Sequence, residues 1–310
     1  MTPHTRNFLY PALLTVALLG LSLAGCGGGG AGAAGGSSGK LRVVAAEDFW
    51  GSISAQLGGD RVEVTSIITN PAADPHDYEP SSEDARTMAG AQVAIVNGIG
   101  YDQWASKLLA ASPAASRVEL NVGDVLGLED GDNPHQWYSP RSVRAVIAAI
   151  SAAYASADPG DRPYFEKRRK EFETKGLAEY DALIAAIKAR YSGTPVGASE
   201  SIFEPLAPAL GLRLITPQGF MDGIAEGTEP TPADKAGADE QVAKRQIEVW
   251  VYNSQNATPD VQRLTDAARA AGIPVATVTE TLTPEGASFQ DWMSRQLRAL
   301  RAALAGVEGK

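Results

Sequence analysis

Short apolar, β-branched runs alternate with longer amphipathic stretches through most of this chain, which predicts strands and helices in turn. Leu41 to Ala45, Val62 to Thr69, Gln92 to Asn97 and Arg117 to Val122 read as strands in the first half. Thr194 to Ala198, Leu212 to Thr216, Ile247 to Asn253 and Ile273 to Thr279 read as strands in the second. Helices are expected from about Phe49 to Leu57, and at Ser82 to Ala89, Pro140 to Ala155, Ser201 to Leu210, Pro232 to Lys244, Pro259 to Ala271 and Ser288 to Ala305. Two of these starts carry local signals. Ser81 or Ser82 can cap a helix with Glu83 and Asp84 in its first turn, and Ser139 precedes Pro140 at a first helical position. A charged helix of unusual length is expected from about Arg162 to Tyr191, with Phe165, Phe172, Leu177, Leu183, Ile184 and Ile187 as a partial apolar stripe.

Alternating strands and helices favour mostly parallel sheets covered by helices, so the expected class is α/β. The expected architecture is two α/β lobes joined by one long rigid helix. The lobes take residues 40–160 and 192–310, and the helix takes residues 161–191. Strand order does not follow from this pattern. Open parallel sheets bind ligands beyond the carboxyl ends of their strands, which places a site in the cleft between the lobes.

The first residues change the picture from a plain globular chain to an exported one. Arg6 precedes the apolar stretch Pro11 to Ala24, the layout of a secretory signal. Leu23-Ala24-Gly25-Cys26 resembles the bacterial lipobox, and Cys26 is the single cysteine among 310 residues. Residues 1–25 are therefore expected to be a lipoprotein signal peptide, with Cys26 lipidated and the body anchored to the cell membrane on the extracytoplasmic side. Residues 26–39 are almost entirely Gly, Ala and Ser, the composition of a flexible tether. With no thiol beyond the anchor, neither a disulfide nor a cysteine-based metal site is available. The net charge is −10, and removing Arg6 with the leader makes it one unit more negative. Such a surface argues against nucleic-acid binding and suits cations, though acidity also serves solubility alone.

Only two histidines, His76 and His135, follow the leader. Each follows a proline in a loop after an expected strand and before a helix start: Asp74-Pro75-His76-Asp77-Tyr78-Glu79-Pro80 and Asn133-Pro134-His135-Gln136-Trp137-Tyr138-Ser139-Pro140. A lone surface histidine is an ordinary solvated group, whereas two in matching settings suit a shared metal. Glu200 and Glu280 follow two strands of the second half; singly each reads as a capping or surface acid. Together the four make a two-imidazole, two-carboxylate set fit for a borderline divalent ion. Tyr78 and Trp137, beside the histidines, are placed to exclude water and orient the rings, or simply to line the core.

The segments Pro75 to Ser81 and Asn133 to Trp137 resemble the two histidine motifs of zinc- and manganese-binding receptors of ABC importers. The resemblance runs from about Leu41 to Ala305 and includes the long helix between the lobes. It implies a solute-binding lipoprotein that captures one divalent ion, zinc or manganese, as transported cargo. The ion would pass to an importer permease worked by an ATPase. It also implies His76 and His135 as the first two ligands and Glu200, in Ser199-Glu200-Ser201-Ile202-Phe203, as the third. Glu280, in Thr279-Glu280-Thr281, takes the fourth position, where the family usually has aspartate. That exchange leaves the coordination geometry open. The histidine-rich loop of many zinc receptors is absent, since only Leu128-Glu129-Asp130-Gly131-Asp132 stands there. The chain is expected to act as a monomer and not as an enzyme, with zinc bound more tightly than manganese.

Ala225 to Pro232 packs Glu226, Glu229 and two prolines into one segment. It reads as a solvated rigid turn, with a lid or relay role for Glu226 or Glu229 as the alternative. Two other functions remain open to the sequence, a metal-dependent hydrolase and a cell-surface adhesion lipoprotein. Against hydrolysis stands the absence of HExxH, GxSxG and phosphate-loop motifs.

Overall fold

The central strands are apolar on both faces because each sheet is covered on both sides. The computed structural model describes residues 39–70 and 78–308; His76 and Cys26 lie outside them. In the first lobe β1 (Leu41–Glu47), α1 (Asp48–Gly58), β2 (Val62–Ile68), α2 (Ser82–Ala89), β3 (Val93–Val96), α3 (Gln103–Ala111), β4 (Val118–Asn121), α4 (Val122–Leu126) and α5 (Pro140–Ala157) follow in order. The strands pair in parallel as β2-β1-β3-β4. Helices α6 (Arg162–Glu171) and α7 (Ala178–Tyr191) lead to the second lobe. It comprises β5 (Pro195–Ala198), α8 (Ala207–Leu210), β6 (Arg213–Leu214), α9 (Gln218–Ala225), α10 (Pro232–Ala243), β7 (Val249–Asn253), α11 (Pro259–Ala270), β8 (Val275–Val278) and α12 (Phe289–Glu308). Its four parallel strands run β6-β5-β7-β8, the same winding as the first sheet.

Alternate residues of each central strand enter different cores, as a period of two requires. Val43, Ala45, Val93 and Ile95 face a large core that also takes Val249 and Val251 of the second sheet. Their neighbours Val44, Ala46, Ala94 and Val96 pack against Met88, Trp104 and Leu109 on the outer face. Trp250 likewise turns outward to Phe220, Val261 and Leu264. One continuous core therefore unites the inner faces of both lobes, with Phe49, Trp137, Tyr180, Phe289 and Trp292 among its members.

The segment from Arg162 to Tyr191 is helical but not uniformly so. A single π turn, Phe172–Gly176, separates α6 from α7. A Cβ on Gly176 would lie 2.6 Å from Phe172 Cδ2, so glycine admits the buried ring at this turn. Three helices fall where the periodicity predicted none, namely α3, α4 and α9. The stretch expected as one helix from Ser201 to Leu210 is a 3-10 turn, Ser201–Phe203, followed by the short α8. Pro205 and Pro208 leave too few backbone donors for a continuous ladder there. Among the described residues no helix is long and apolar enough to cross a membrane.

Candidate metal centre

Among the described residues one group of three potential metal ligands converges. His135, Glu200 and Glu280 each present one donor atom, and these atoms lie within 4.8 Å of one another. Their residues are 0%, 1% and 2% exposed, respectively. Glu200 follows β5 and Glu280 follows β8, both at carboxyl ends of parallel strands, as the open-sheet rule requires. His135 arrives by a longer route, because α4 and a loop intervene after β4. It ends on a 3-10 turn, Gln136–Tyr138, directly before Ser139 caps α5.

Asn133 settles which ring nitrogen of His135 faces the glutamates. Asn133 Nδ2 donates to Ser201 O at 2.8 Å and to Glu204 Oε2 at 2.9 Å. Its Oδ1 therefore faces the histidine, accepting from the His135 backbone N–H at 3.0 Å and lying 2.9 Å from Nδ1. An amide oxygen only accepts, so Nδ1 carries a proton and Nε2 is the ring nitrogen turned to the cleft. The indole of Trp137 lies edge-on to the imidazole at 5.3 Å and stacks on Phe49 at 4.0 Å. This wall is fully buried, so the ring is held by packing and by one amide. Tyr78 turns elsewhere, against Trp104 at 4.9 Å, with its hydroxyl donating to Asp84 Oδ2.

Amides and a phenol hold the two glutamates. Asn253 Nδ2 donates to Glu200 Oε1 at 2.7 Å and to Glu280 Oε1 at 2.9 Å. Asn256 Nδ2 donates to Glu200 Oε2 at 2.7 Å, and Tyr101 Oη to Glu280 Oε2 at 2.8 Å. Gln255 Oε1 accepts from the backbone N–H groups of Glu280 and Thr281, which fixes the turn carrying the second glutamate. Periodicity and family resemblance pointed to neither Asn253 nor Asn256. Their signal in the chain is three side-chain amides, at Asn253, Gln255 and Asn256, straight after the apolar run Val249 to Val251.

The loop after β3 is braced from behind by a buried acid pair. Asp102 accepts from the backbone N–H of Asn97 at 2.7 Å and of Gly98 at 2.8 Å. Asn97 in turn accepts from Trp50 Nε1 and donates to Pro134 O, each at 3.0 Å, joining α1 to the His135 loop. Glu47 lies against Asp102; its burial, then the Asp102 charge, pushes its carboxyl well above the usual range. Burial raises the Asp102 carboxyl too, while its two backbone N–H donors pull it back down. At Gly98 φ is 67°, and a Cβ would meet Asn121 Oδ1 at 2.2 Å, so the turn requires glycine.

A cavity of about 240 Å³ runs alongside His135 and is lined by Asp132, Asn133, Glu204, Asp222 and Glu226. Burial raises the Asp222 carboxyl pKa, and nearby Glu204 and Glu226 raise it further. Glu226 thus borders the approach to the cluster. Glu229 instead pairs with Lys235 and lines a separate hollow with Thr258 and Asp260.

The chain resembles known proteins along nearly its full length. It is 25% identical over 317 residues to the manganese ABC transporter substrate-binding lipoprotein PsaA of Streptococcus pneumoniae, covering 94% of this chain and 98% of that one. It is 23% identical to the high-affinity zinc uptake system protein ZnuA of Bacillus subtilis, covering 95% and 98%. A manganese-bound periplasmic metal binding protein (S38A mutant) from Candidatus Liberibacter asiaticus shares the fold, with a TM-score of 0.73 at 18% identity over 86% of this chain and 100% of that one. Residues 43–303 match the family of the periplasmic component A of zinc-uptake complexes (ZnuA), and the chain belongs to that family.

Proposed function

We propose that this chain is an extracytoplasmic receptor that captures one divalent transition metal ion, zinc or manganese, as cargo for an ABC importer. The observation that carries this reading is the buried convergence of His135, Glu200 and Glu280. His135 offers Nε2 as a borderline nitrogen donor, the glutamates offer oxygen, and His76 is the fourth ligand in the proposal. Two buried carboxylates side by side repel each other, and a divalent ion between them cancels both charges. Zinc–ligand distances of about 2.0–2.2 Å imply donor–donor spacings of roughly 3.4 Å in a tetrahedral site. The observed spacing of up to 4.8 Å therefore closes by a small movement when the ion enters.

The acidic cavity beside His135 supplies a route that concentrates cations at the cleft. The shared inner core and the ties between α1 and α12, such as the paired amides of Gln56 and Gln290, limit how far the lobes can part. Capture is thus a small adjustment and not a wide hinge closure. Four protein ligands leave no open position for an attacking water, which speaks for a binding protein over a metallohydrolase. In this reading Cys26 carries the lipid anchor, the receptor works as a monomer, and the loaded form docks on the permease that an ATPase drives.

The test is elemental analysis of protein purified without chelator, with metal titration of single alanine variants. One zinc or manganese ion per chain is expected. Loss of tight binding is expected in the His76, His135, Glu200 and Glu280 variants, and near-wild-type binding in Glu226→Ala and Glu229→Ala. Wild-type affinity in Glu200→Ala would move the site.

A further inference from the structure

Each of the four carboxylate oxygens of Glu200 and Glu280 already accepts a hydrogen bond from a neutral donor at 2.7–2.9 Å. The donors are themselves fixed. Asn253 Oδ1 accepts the Gln255 N–H at 3.0 Å, and the Asn253 backbone N–H donates to Ser199 Oγ at 2.9 Å. Its oxygen is thereby engaged, and the amide nitrogen must face the glutamates. Asn256 Nδ2 also donates to Ile224 O at 3.0 Å. Asn253 is wholly buried, so water does not substitute for it.

Asn253 Nδ2 lies between the two carboxylates and donates to Oε1 of each, on the side an ion shared by both acids must also use. Binding a metal through the other oxygen of each glutamate leaves these bonds intact. Chelation through both oxygens sets the ion in competition with Asn253. Hydrogen bonds to charged groups resist such loss more than neutral ones do. We propose that Asn253, Asn256 and Tyr101 are positioning residues that hold each glutamate to a single coordinating oxygen and thereby set metal selectivity. With one atom from each glutamate and the two imidazoles of the proposed ligand set, the centre would be four-coordinate. That number suits zinc and disfavours manganese, which prefers six oxygen-rich ligands. This inference rests on the reading of the cleft as the metal site.

The experiment compares full-length protein in detergent with Tyr101→Phe, Asn256→Ala, their double variant and Asn253→Ala. Each is titrated with metal-buffered zinc and with manganese, and the zinc-loaded forms are measured by X-ray absorption. Wild type should show four light-atom ligands on zinc. Tyr101→Phe should narrow the zinc-over-manganese affinity ratio about tenfold, and the double variant more, with the ligand number rising above four. A merely structural role would weaken both metals equally and leave the ratio and coordination unchanged, which overturns the inference. Five or six ligands on wild-type zinc overturn it as well. Tyr101→Phe keeps the ring and its packing, so it stands if Asn253→Ala does not fold. Glu200→Ala and Glu280→Ala separate the two levels: wild-type affinity in either sinks the metal-site reading itself. Lost binding there with an unchanged ratio in the donor variants sinks only the positioning role.

Discussion

The two halves of the candidate centre are buried alike but held by different physics. On the first lobe His135 packs against Trp137, itself stacked on Phe49, and Asn133 orients its ring. On the second, Glu200 and Glu280 sit among directed donors from Asn253 and Asn256, with Tyr101 reaching across and Gln255 accepting the Glu280 backbone N–H. An imidazole chiefly needs orientation, which the aromatic packing and the Asn133 amide supply. A buried carboxylate left without donors is costly, so its half is built from hydrogen bonds before any ion arrives.

That contrast says where each half breaks. Trp137→Ala should have the largest effect, a loss of about 3–5 kcal/mol in stability, because a fully buried indole leaves a cavity in the core common to both lobes. Urea unfolding of the chelated protein measures it; a loss under 1 kcal/mol would show the aromatic wall to be dispensable. Glu280→Gln should behave oppositely. Metal affinity should fall by roughly a hundredfold or more, while the chelated protein should be no less stable, since one of two neighbouring buried charges is gone. A matching fall in chelated stability would mean that the glutamates are structural.

Asn133→Ala sits between the two, because it removes orientation without removing a ligand. Affinity should drop about 10- to 100-fold with stability little changed. NMR of the imidazole nitrogens should show the Nδ1–H form no longer dominant. If that tautomer persists, something other than Asn133 sets it.

A pH-dependent effect marks the seam between the halves. Asp48, at the start of α1, accepts the Leu282 N–H two residues beyond Glu280, and burial raises its carboxyl to about 7. The folded state therefore binds this proton more tightly than the unfolded state, whose aspartates titrate near 3.9. Its contribution is complete below about pH 4, is lost as pH rises towards 7, and is level above that. Asp48→Asn removes the titration and keeps an acceptor for Leu282. Relative to wild type the variant should gain stability steadily from pH 4 to 7 and then gain no more, read from urea midpoints across that range. A constant difference would place the titration elsewhere.

Much of the fold was legible in the chain because its signals are local. Seven of the eight strands lie within the apolar runs that predicted them, β1 runs two residues past its own, and Ser81 caps α2 in a reciprocal box with Asp84. The helices that escaped notice are short or weakly patterned. Five-residue α4 begins at an Asn121 cap, and α9 is rich in glycine and apolar residues. Even the π turn at Phe172 left a trace, since Gly176 breaks an otherwise strong helical stretch.

By itself the chain determined the α/β alternation, the likeness to metal receptors and three side chains that the structure gathers in one place. His135, Glu200 and Glu280 stand in local settings that strand ends and motifs identify without any knowledge of contacts. Only the tertiary structure decided the strand orders, the single core between the lobes and the donors around the glutamates. Tyr101 and Glu280 are 179 residues apart, and Asn253 reaches both carboxylates only because β7 lies between β5 and β8. Periodicity records which face of an element is buried, a property of neighbouring residues. Which donor meets which acceptor depends on how the sheets are wound and packed, and that energy is shared across the whole core.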